Sequence, residues 1–349
     1  MVDSLDPIAR GRFDAVIDVR SPAEFAQDHV SGAVNLPVLD DAERAAVGTV
    51  YGRDSKFRAR RMGAALIARN VAHHLETSLS DRGGEFRPLV YCWRGGQRSH
   101  AMAVILSQIG WRTGLLRGGY RTYRRAVQQR LYEVELPLDV VLLDGPTGSA
   151  KTEILQAAGE LGVQIVDLEG IARHRGSLFG GFAEPQPSQK LFESRLVAAL
   201  DAIDPLRPVL IEAESNKIGE RLVPPRLWRT MVAAPRIVLD APRRVRAAYL
   251  VEAYADIIAN PASVPEILAK LPQRPMRVHL AEWTRMAAAG EFEAFADALA
   301  EHHYDPAYAR SSRLDARPVL ATLPLDRLDG SARAGAALQI AELLAGKPR

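Results

Sequence analysis

Short apolar runs alternate with longer amphipathic ones along most of this chain. Phe13 to Asp18 (FDAVID), Ala33 to Leu36, Leu89 to Tyr91 and Thr113 to Leu116 read as strands in its first part. Val140 to Leu143, Val163 to Leu168, Pro208 to Ile211 and Arg236 to Leu239 read as strands further on. The apolar spacing predicts helices over Ala59 to Leu75, Ala101 to Ile109, Lys151 to Leu161 and Gln189 to Ile203. Ser21, Pro22 and Glu24 stand where a helix N-cap, its first residue and a capping-box acid belong. Strands alternating with helices predict an α/β fold with parallel sheets. Helices dominate from Arg243 onward, and no internal repeat is evident. Pro137 marks a boundary, giving one domain over 1–136 and a second over 137–349 with a helical C-terminal region; 349 residues suit two domains.

The only cysteine follows the Leu89 to Tyr91 run, in Cys92-Trp93-Arg94-Gly95-Gly96-Gln97-Arg98-Ser99. Ser99 starts the next helical pattern, so Cys92 ends a strand and feeds a glycine-rich loop into a helix N-terminus. Successive backbone N–H groups in such a loop form an anion nest, and the helix dipole adds to it. A cysteine there, flanked by Arg94 and Arg98, is expected to be a reactive thiolate. A buried structural cysteine is the alternative, although two glycines and two arginines make a poor apolar core. Rhodanese sulfurtransferases and cysteine phosphatases both use a Cys, five residues and an Arg in this geometry, and the loop alone does not choose between them.

Val140 to Leu143 leads into Gly145-Pro146-Thr147-Gly148-Ser149-Ala150-Lys151-Thr152 and then a helix. Strand, glycine-rich loop, Lys-Thr and helix form the P-loop arrangement, in which backbone N–H groups cradle phosphates and Lys151 adds a charge. Thr152 could bind Mg²⁺ beside them, as could Glu212 or Glu214 at the next strand's C-terminal edge. A salt bridge to an arginine is the plainer role for either acid. Ala150 departs from the pattern, which has its second glycine there. Its Cβ crowds the phosphates unless φ at that position is negative. Phosphate binding follows more directly from these residues than hydrolysis of ATP or GTP.

Composition adds little beyond this. The net charge of +3 is too small to name a partner. The chain has no run of about 18 apolar residues and no apolar signal core near Met1, so neither a membrane span nor a membrane partner is expected. One cysteine rules out an intrachain disulfide and suits the cytoplasm. Clustering says more. Six arginines and no acid lie between Arg112 and Arg130, interleaved with Tyr120 and Tyr123. That composition suits a phosphate backbone with unpaired bases, so Arg117, Arg121, Arg124 and Arg125 are candidate RNA contacts. Arg53, Lys56, Arg58, Arg60 and Arg61 form a second basic stretch, which reads equally as a solvated helix face. His73-His74 lacks metal-ligand spacing, and no metal-ligand set is expected.

The passages around Asp18-Val19-Arg20-Ser21-Pro22-Ala23-Glu24 and His29-Val30-Ser31-Gly32-Ala33-Val34-Asn35-Leu36-Pro37 resemble the rhodanese signature, and Arg117-Gly118-Gly119-Tyr120 its closing turn. A rhodanese-like domain with C-W-R-G-G-Q-R-S, fused to a P-loop domain with D-L-E-G-I-A-R-H-R-G-S-L-F-G and I-E-A-E-S-N-K-I-G, resembles the tRNA 2-selenouridine synthase family. The resemblance runs from about Phe13 to beyond Gly219 and weakens after Tyr254. It implies an α/β rhodanese-like domain followed by a P-loop NTPase-like parallel-sheet domain. It also implies an enzyme that replaces the sulfur of wobble 2-thiouridine in tRNA with selenium, through an S-geranyl intermediate. Geranyl diphosphate and selenophosphate would be its substrates and tRNA its partner, with no tightly bound cofactor. An enzyme supplying selenophosphate could be a further partner. In that scheme Cys92 carries selenium, with Arg94 and Arg98 around the donor. Gly145, Thr147, Gly148, Ser149, Ala150, Lys151 and Thr152 bind the diphosphate. Trp93, Phe179 and Phe182 could line a geranyl pocket or simply belong to the core. A rhodanese-type sulfurtransferase with a regulatory nucleotide-binding domain, or a nucleotide-switched binding module, would share most of these features.

Overall fold

The computed structural model describes residue 1 and residues 11–271, 273–313 and 316–346. The chain divides into two units, Met1–Val134 with Pro187–Asp201, and Glu135–Gln186 with Ala202–Arg349. A boundary at Pro137 alone therefore misses the return of 187–201 to the first unit.

The first unit is built on four parallel strands: β1 (Ala15–Asp18), β2 (Val34–Asn35), β3 (Pro88–Tyr91) and β4 (Gly114–Leu115), in the order β2-β1-β3-β4. Ile17 stands opposite Val34 on one side and Val90 on the other. β3 is buried throughout, as its unbroken apolar run requires. Ile17, Leu36, Val90, Met102, Leu106 and Trp111 fill one core cluster. The helix after the cysteine loop runs over Gln97–Gln108, two residues ahead of Ser99, because Gly96 is its N-cap.

An α-hairpin, Asp41–Arg53 and Lys56–Glu76, stands between β2 and β3. Apolar spacing does not reveal its first helix, which has no buried residue; its signal is the capping box of Asp40 and Glu43. The second helix buries Ala59, Gly63, Ile67, Val71 and His74. His74 Nε2 lies 2.9 Å from Pro37 O, a structural role.

The helix Gln189–Asp201 joins this unit through a buried carboxylate. Glu193 is 1% exposed and accepts from Arg124, from Tyr132 Oη (2.7 Å) and from Gln189 Nε2 (3.0 Å). An interior carboxylate holds its charge only when its oxygens are paired in this way.

The second unit has five parallel strands in the order β11-β10-β5-β7-β6: β5 (Val140–Asp144), β6 (Gln164–Val166), β7 (Val209–Glu212), β10 (Arg236–Asp240) and β11 (Val319–Pro324). β8 (Lys217–Ile218) and β9 (Arg221–Leu222) form a small antiparallel ribbon. Helices do dominate after Arg243, and β11 is the one strand among them in the described residues. It is a largely exposed edge strand between two prolines, so it shows no clean apolar alternation. At the sheet's centre, Arg236 Nη1 donates to Asp144 Oδ2 at 2.6 Å, both side chains being 8% exposed. Among the described residues no helix is long and apolar enough to cross a membrane.

Removing Arg124 would strand the Glu193 charge in the interior. Arg124→Ala is expected to lower stability by about 3–5 kcal/mol, and Glu193→Gln in the same chain to recover much of it. Urea unfolding of the two variants checks this. A loss below 1 kcal/mol in Arg124→Ala would mean that the carboxylate reaches water.

Candidate active site

Cys92 directly follows β3 and is 3% exposed. Its Sγ accepts from Gly96 N (3.2 Å) and from Ser99 Oγ (3.2 Å), so two donors converge on the sulfur at the N-terminus of helix Gln97–Gln108. Gly95 (φ +67°) and Gly119 (φ +60°) make the fold of the loop possible. A Cβ on Gly119 would lie 2.2 Å from Cys92 O and 2.6 Å from Gly95 N. The Gly-Gly turn can therefore close on the cysteine loop, where Tyr120 N donates to Cys92 O (2.8 Å) and Arg121 N to Trp93 O (3.2 Å).

Beneath the loop, buried Arg20 binds both carboxylate oxygens of Asp18 and donates to Asp28 O (2.6 Å). Its guanidinium lies 4.1 Å from the Tyr120 ring centroid, and Tyr120 Oη donates to Asp28 Oδ2 (2.7 Å). The Asp-Val-Arg and Gly-Gly-Tyr stretches thus form one buried polar support, which residue types alone did not assign.

The two arginines of the loop have different fates. Arg94 is exposed, with no ion pair among the described residues. Arg98 does not stand free over the loop, because it pairs with Glu24 at 2.7 Å. Burial works against the Glu24 charge, but the Arg98 hydrogen bond and charge hold its carboxyl below the usual range. Of the four candidate RNA arginines, Arg117, Arg121 and Arg125 are exposed. Arg124 is a correction: its side chain is 13% exposed and committed to Glu193, since the helix Gln189–Asp201 covers it.

In the second unit Gly145 to Thr152 bends from β5 into the helix Lys151–Glu160, and its residues Thr147 to Thr152 line a cleft of about 780 Å³. Lys151 Nζ lies 3.0 Å from Gly145 O, Ser149 Oγ donates to Pro146 O (2.6 Å), and Gly148 has φ +85°. Ala150 has φ +57° and ψ +34°, so the negative φ that would excuse its Cβ is not adopted. The left-handed conformation costs an alanine about 1–2 kcal/mol, which the loop meets through its anchors. One anchor that sequence reading missed is Arg246, 3% exposed, which donates to Thr147 O (2.8 Å) and pairs with Asp305. Its signal is faint, one of three arginines in the helix Arg243–Ala253.

Glu169, Glu214, Thr152 and Lys151 all line this cleft. Thr152 Oγ1 donates to Glu169 Oε2 at 2.8 Å. Gly176 (φ +67°) admits both acids: a Cβ there would lie 2.6 Å from Glu169 Oε1 and 2.7 Å from Glu214 Oε2. Glu212 points elsewhere. It is wholly buried and accepts from Leu168 N (2.9 Å), so Glu214 and not Glu212 reaches the cleft. No group of three or more His, Cys, Asp and Glu side chains forms a metal cage among the described residues. Two carboxylates and a threonine hydroxyl do suit Mg²⁺ that also binds substrate phosphates.

Beside the cleft, Arg175 lies 4.3 Å from the Phe182 ring and 4.8 Å from that of Tyr254, and pairs with Asp256 at 3.0 Å. An apolar cavity adjoins the cleft, sharing Thr147, Leu250 and Tyr254, and is lined further by Phe179, Ile257 and Phe295. Trp93 is not part of it; it packs on Tyr120 in the first unit.

Burial, then the charge of Glu214, push the Glu169 carboxyl up to about 8, against Lys151 and Thr152. Its ordinary value is 4.5, so folding takes up a proton between these limits. The contribution of this group to stability therefore falls as pH rises from about 4.5 to about 8 and is flat above. Glu169→Gln cannot titrate. Its melting temperature relative to wild type is expected to rise between about pH 5 and pH 8.5, as scanning calorimetry would register. A difference independent of pH would mean that Glu169 is ionised throughout.

Residues 3–126 match the family described as Rhodanese-like domain, and residues 138–264 that described as tRNA 2-selenouridine synthase AAA domain. A tRNA 2-selenouridine synthase of Nitrosomonas europaea is 33% identical over 289 residues, 81% of this chain and 74% of the relative. One of Bdellovibrio bacteriovorus is 36% identical, over 66% of this chain and 62% of its own. One of Salmonella arizonae is 36% identical, over 70% and 68%. Two domain matches in this order, with that share of the Nitrosomonas protein covered, lead to one conclusion: the chain belongs to the tRNA 2-selenouridine synthase family.

Proposed function

We propose that this protein is a tRNA-modifying enzyme that converts wobble 2-thiouridine to 2-selenouridine by way of S-geranyl-2-thiouridine, from geranyl diphosphate and selenophosphate. The observation that carries the reading is the junction of a phosphate cradle with a hydrocarbon-lined cavity in one unit. Gly145 to Thr152 suit a diphosphate, and Phe179, Leu250, Ile257 and Phe295 suit a prenyl chain. The cavity measures about 60 Å³, less than a ten-carbon chain fills, so binding parts the side chains around it.

In the first step the thiocarbonyl sulfur bonds to C1 of the geranyl group. The C1–O bond breaks, diphosphate leaves with the electron pair, and the base loses its N3 proton. Lys151 and the loop N–H groups meet the charge that gathers on the leaving group. Thr152, Glu169 and Glu214 would hold Mg²⁺, which supplies further neutralisation of the diphosphate. Alkylation turns a poor leaving sulfur into a good one. In the second step selenium attacks C2 and geranyl thiol departs. The selenium comes from selenophosphate oriented by Arg94: Cys92 Sγ attacks its phosphorus, the P–Se bond breaks with selenide leaving as HSe⁻ to attack C2, and water then cleaves the S–P bond, releasing phosphate and the free thiol.

Two substitutions separate the steps, because the cysteine and the P-loop belong to different units. Lys151→Ala should lower formation of geranylated tRNA by a factor of about 10²–10³ while conversion of pre-geranylated tRNA continues. Undiminished geranylation would remove the P-loop from the mechanism. Cys92→Ser should accumulate geranylated 2-thiouridine and form no 2-selenouridine. Mass analysis of nucleosides reads both. Selenouridine made at the wild-type rate by Cys92→Ser would mean that selenophosphate attacks the tRNA directly.

A further inference from the structure

The helix Lys56–Glu76 carries Lys56, Arg58, Arg60, Arg61 and Arg69, with no acid before its last residue. Its first turn holds Lys56 and Arg58 and no acid, the reverse of what the helix dipole favours. The preceding helix, Asp41–Arg53, follows the ordinary rule, with Asp41 and Glu43 in its first turn. The charge at Lys56 to Arg61 thus does not serve the helix that bears it. Ion pairing accounts for little of it, since Arg58 with Asp54 (2.6 Å) is its one ion pair among the described residues.

Aromatic surface accompanies the charge. Phe57 is 72% exposed and Tyr51 48%, with Lys56 Nζ 5.9 Å from the Tyr51 ring. Phe57 and Arg61 are one helical turn apart and share a face. The helix's own apolar face is spent on the core through Ala59, Gly63, Ile67 and Val71. What remains outside is isolated rings among cations, unlike the continuous apolar stripe that a membrane-surface helix needs. Cations with separated aromatic rings fit a phosphate backbone whose unpaired bases can stack.

We infer that the α-hairpin 41–76, through Lys56, Phe57, Arg60 and Arg61, is a contact surface for the RNA substrate. The inference rests on the reading of tRNA as that substrate. It adds a surface to Arg117, Arg121 and Arg125, now that Arg124 is occupied. The cations bind phosphates and Phe57 stacks on an exposed base.

Fluorescence anisotropy with tRNA bearing wobble 2-thiouridine, titrated from about 50 to 300 mM KCl, tests it. The triple variant Lys56→Gln, Arg60→Gln, Arg61→Gln should flatten the slope of log K against log[salt] by two to three, about one per lost phosphate contact. Phe57→Ala should weaken binding about tenfold with the slope unchanged. All these residues are exposed, so thermal unfolding should not move. A folded triple variant with the wild-type slope overturns the inference. So does binding to vesicles of phosphatidylcholine and phosphatidylglycerol that the triple variant loses while tRNA binding stays unchanged; that result assigns the surface to a membrane. Wild-type protein that binds no tRNA is a different failure, because it removes the substrate reading itself.

Discussion

A parallel strand passes its chain to a helix through a turn that leaves backbone N–H groups without intrahelical partners, and both glycine-rich loops depend on that constraint. β3 ends at Tyr91, just before Cys92, and β5 at Asp144, each followed by a glycine-rich loop and a helix. The two loops solve the turn differently. Around Cys92 the left-handed positions are glycines, and the space they leave admits the Gly118-Gly119 turn to hydrogen-bond distance. At the P-loop one left-handed position is Ala150, and buried contacts of Arg246 with Thr147 O and Asp305 secure the neighbouring backbone.

Buried arginines do much of the structural work. Arg20 on Asp18, Arg124 on Glu193 and Arg236 on Asp144 each place a guanidinium against an interior carboxylate. Such pairs are costly to break from one side and neutral to replace from both. They give orientation: Arg20 sets the Asp28–Tyr120 contact under the cysteine loop, and Asp144 also accepts from Gly145 N as the P-loop begins. An arginine-rich stretch is therefore a mixture, in which neighbours such as Arg124 and Arg125 face an interior partner and the solvent respectively.

The order of residues was enough to reveal the strand-loop-helix units, because their signals are local. Unbroken apolar runs mark β3 and β5, glycines mark the turns, and the apolar period marks the helices that follow. Cys92 and Lys151 could be singled out for the same reason: a cysteine just after a strand and a lysine at the start of the helix that follows a glycine-rich loop are one-dimensional patterns. The weakly patterned pieces escaped. The helix Asp41–Arg53 buries nothing, and β11 is an exposed edge strand far from its partner β10 in sequence.

Tertiary structure alone decided which charges meet. Glu169 faces Thr152 across 17 positions, Arg124 reaches Glu193 across 69, and Arg246 reaches Thr147 across 99. No local period encodes such pairings, since a carboxylate or guanidinium carries no mark of its distant partner. The sign of φ at Ala150 was likewise undecided in the residue string, because a loop's handedness depends on what anchors its ends. Only the folded chain showed that Arg98 belongs to Glu24 and that Glu214, not Glu212, reaches the cleft beside Thr152. The physical reason is common to all of them: long-range electrostatics and burial are properties of the assembled core, whereas helix, strand and turn are properties of neighbours.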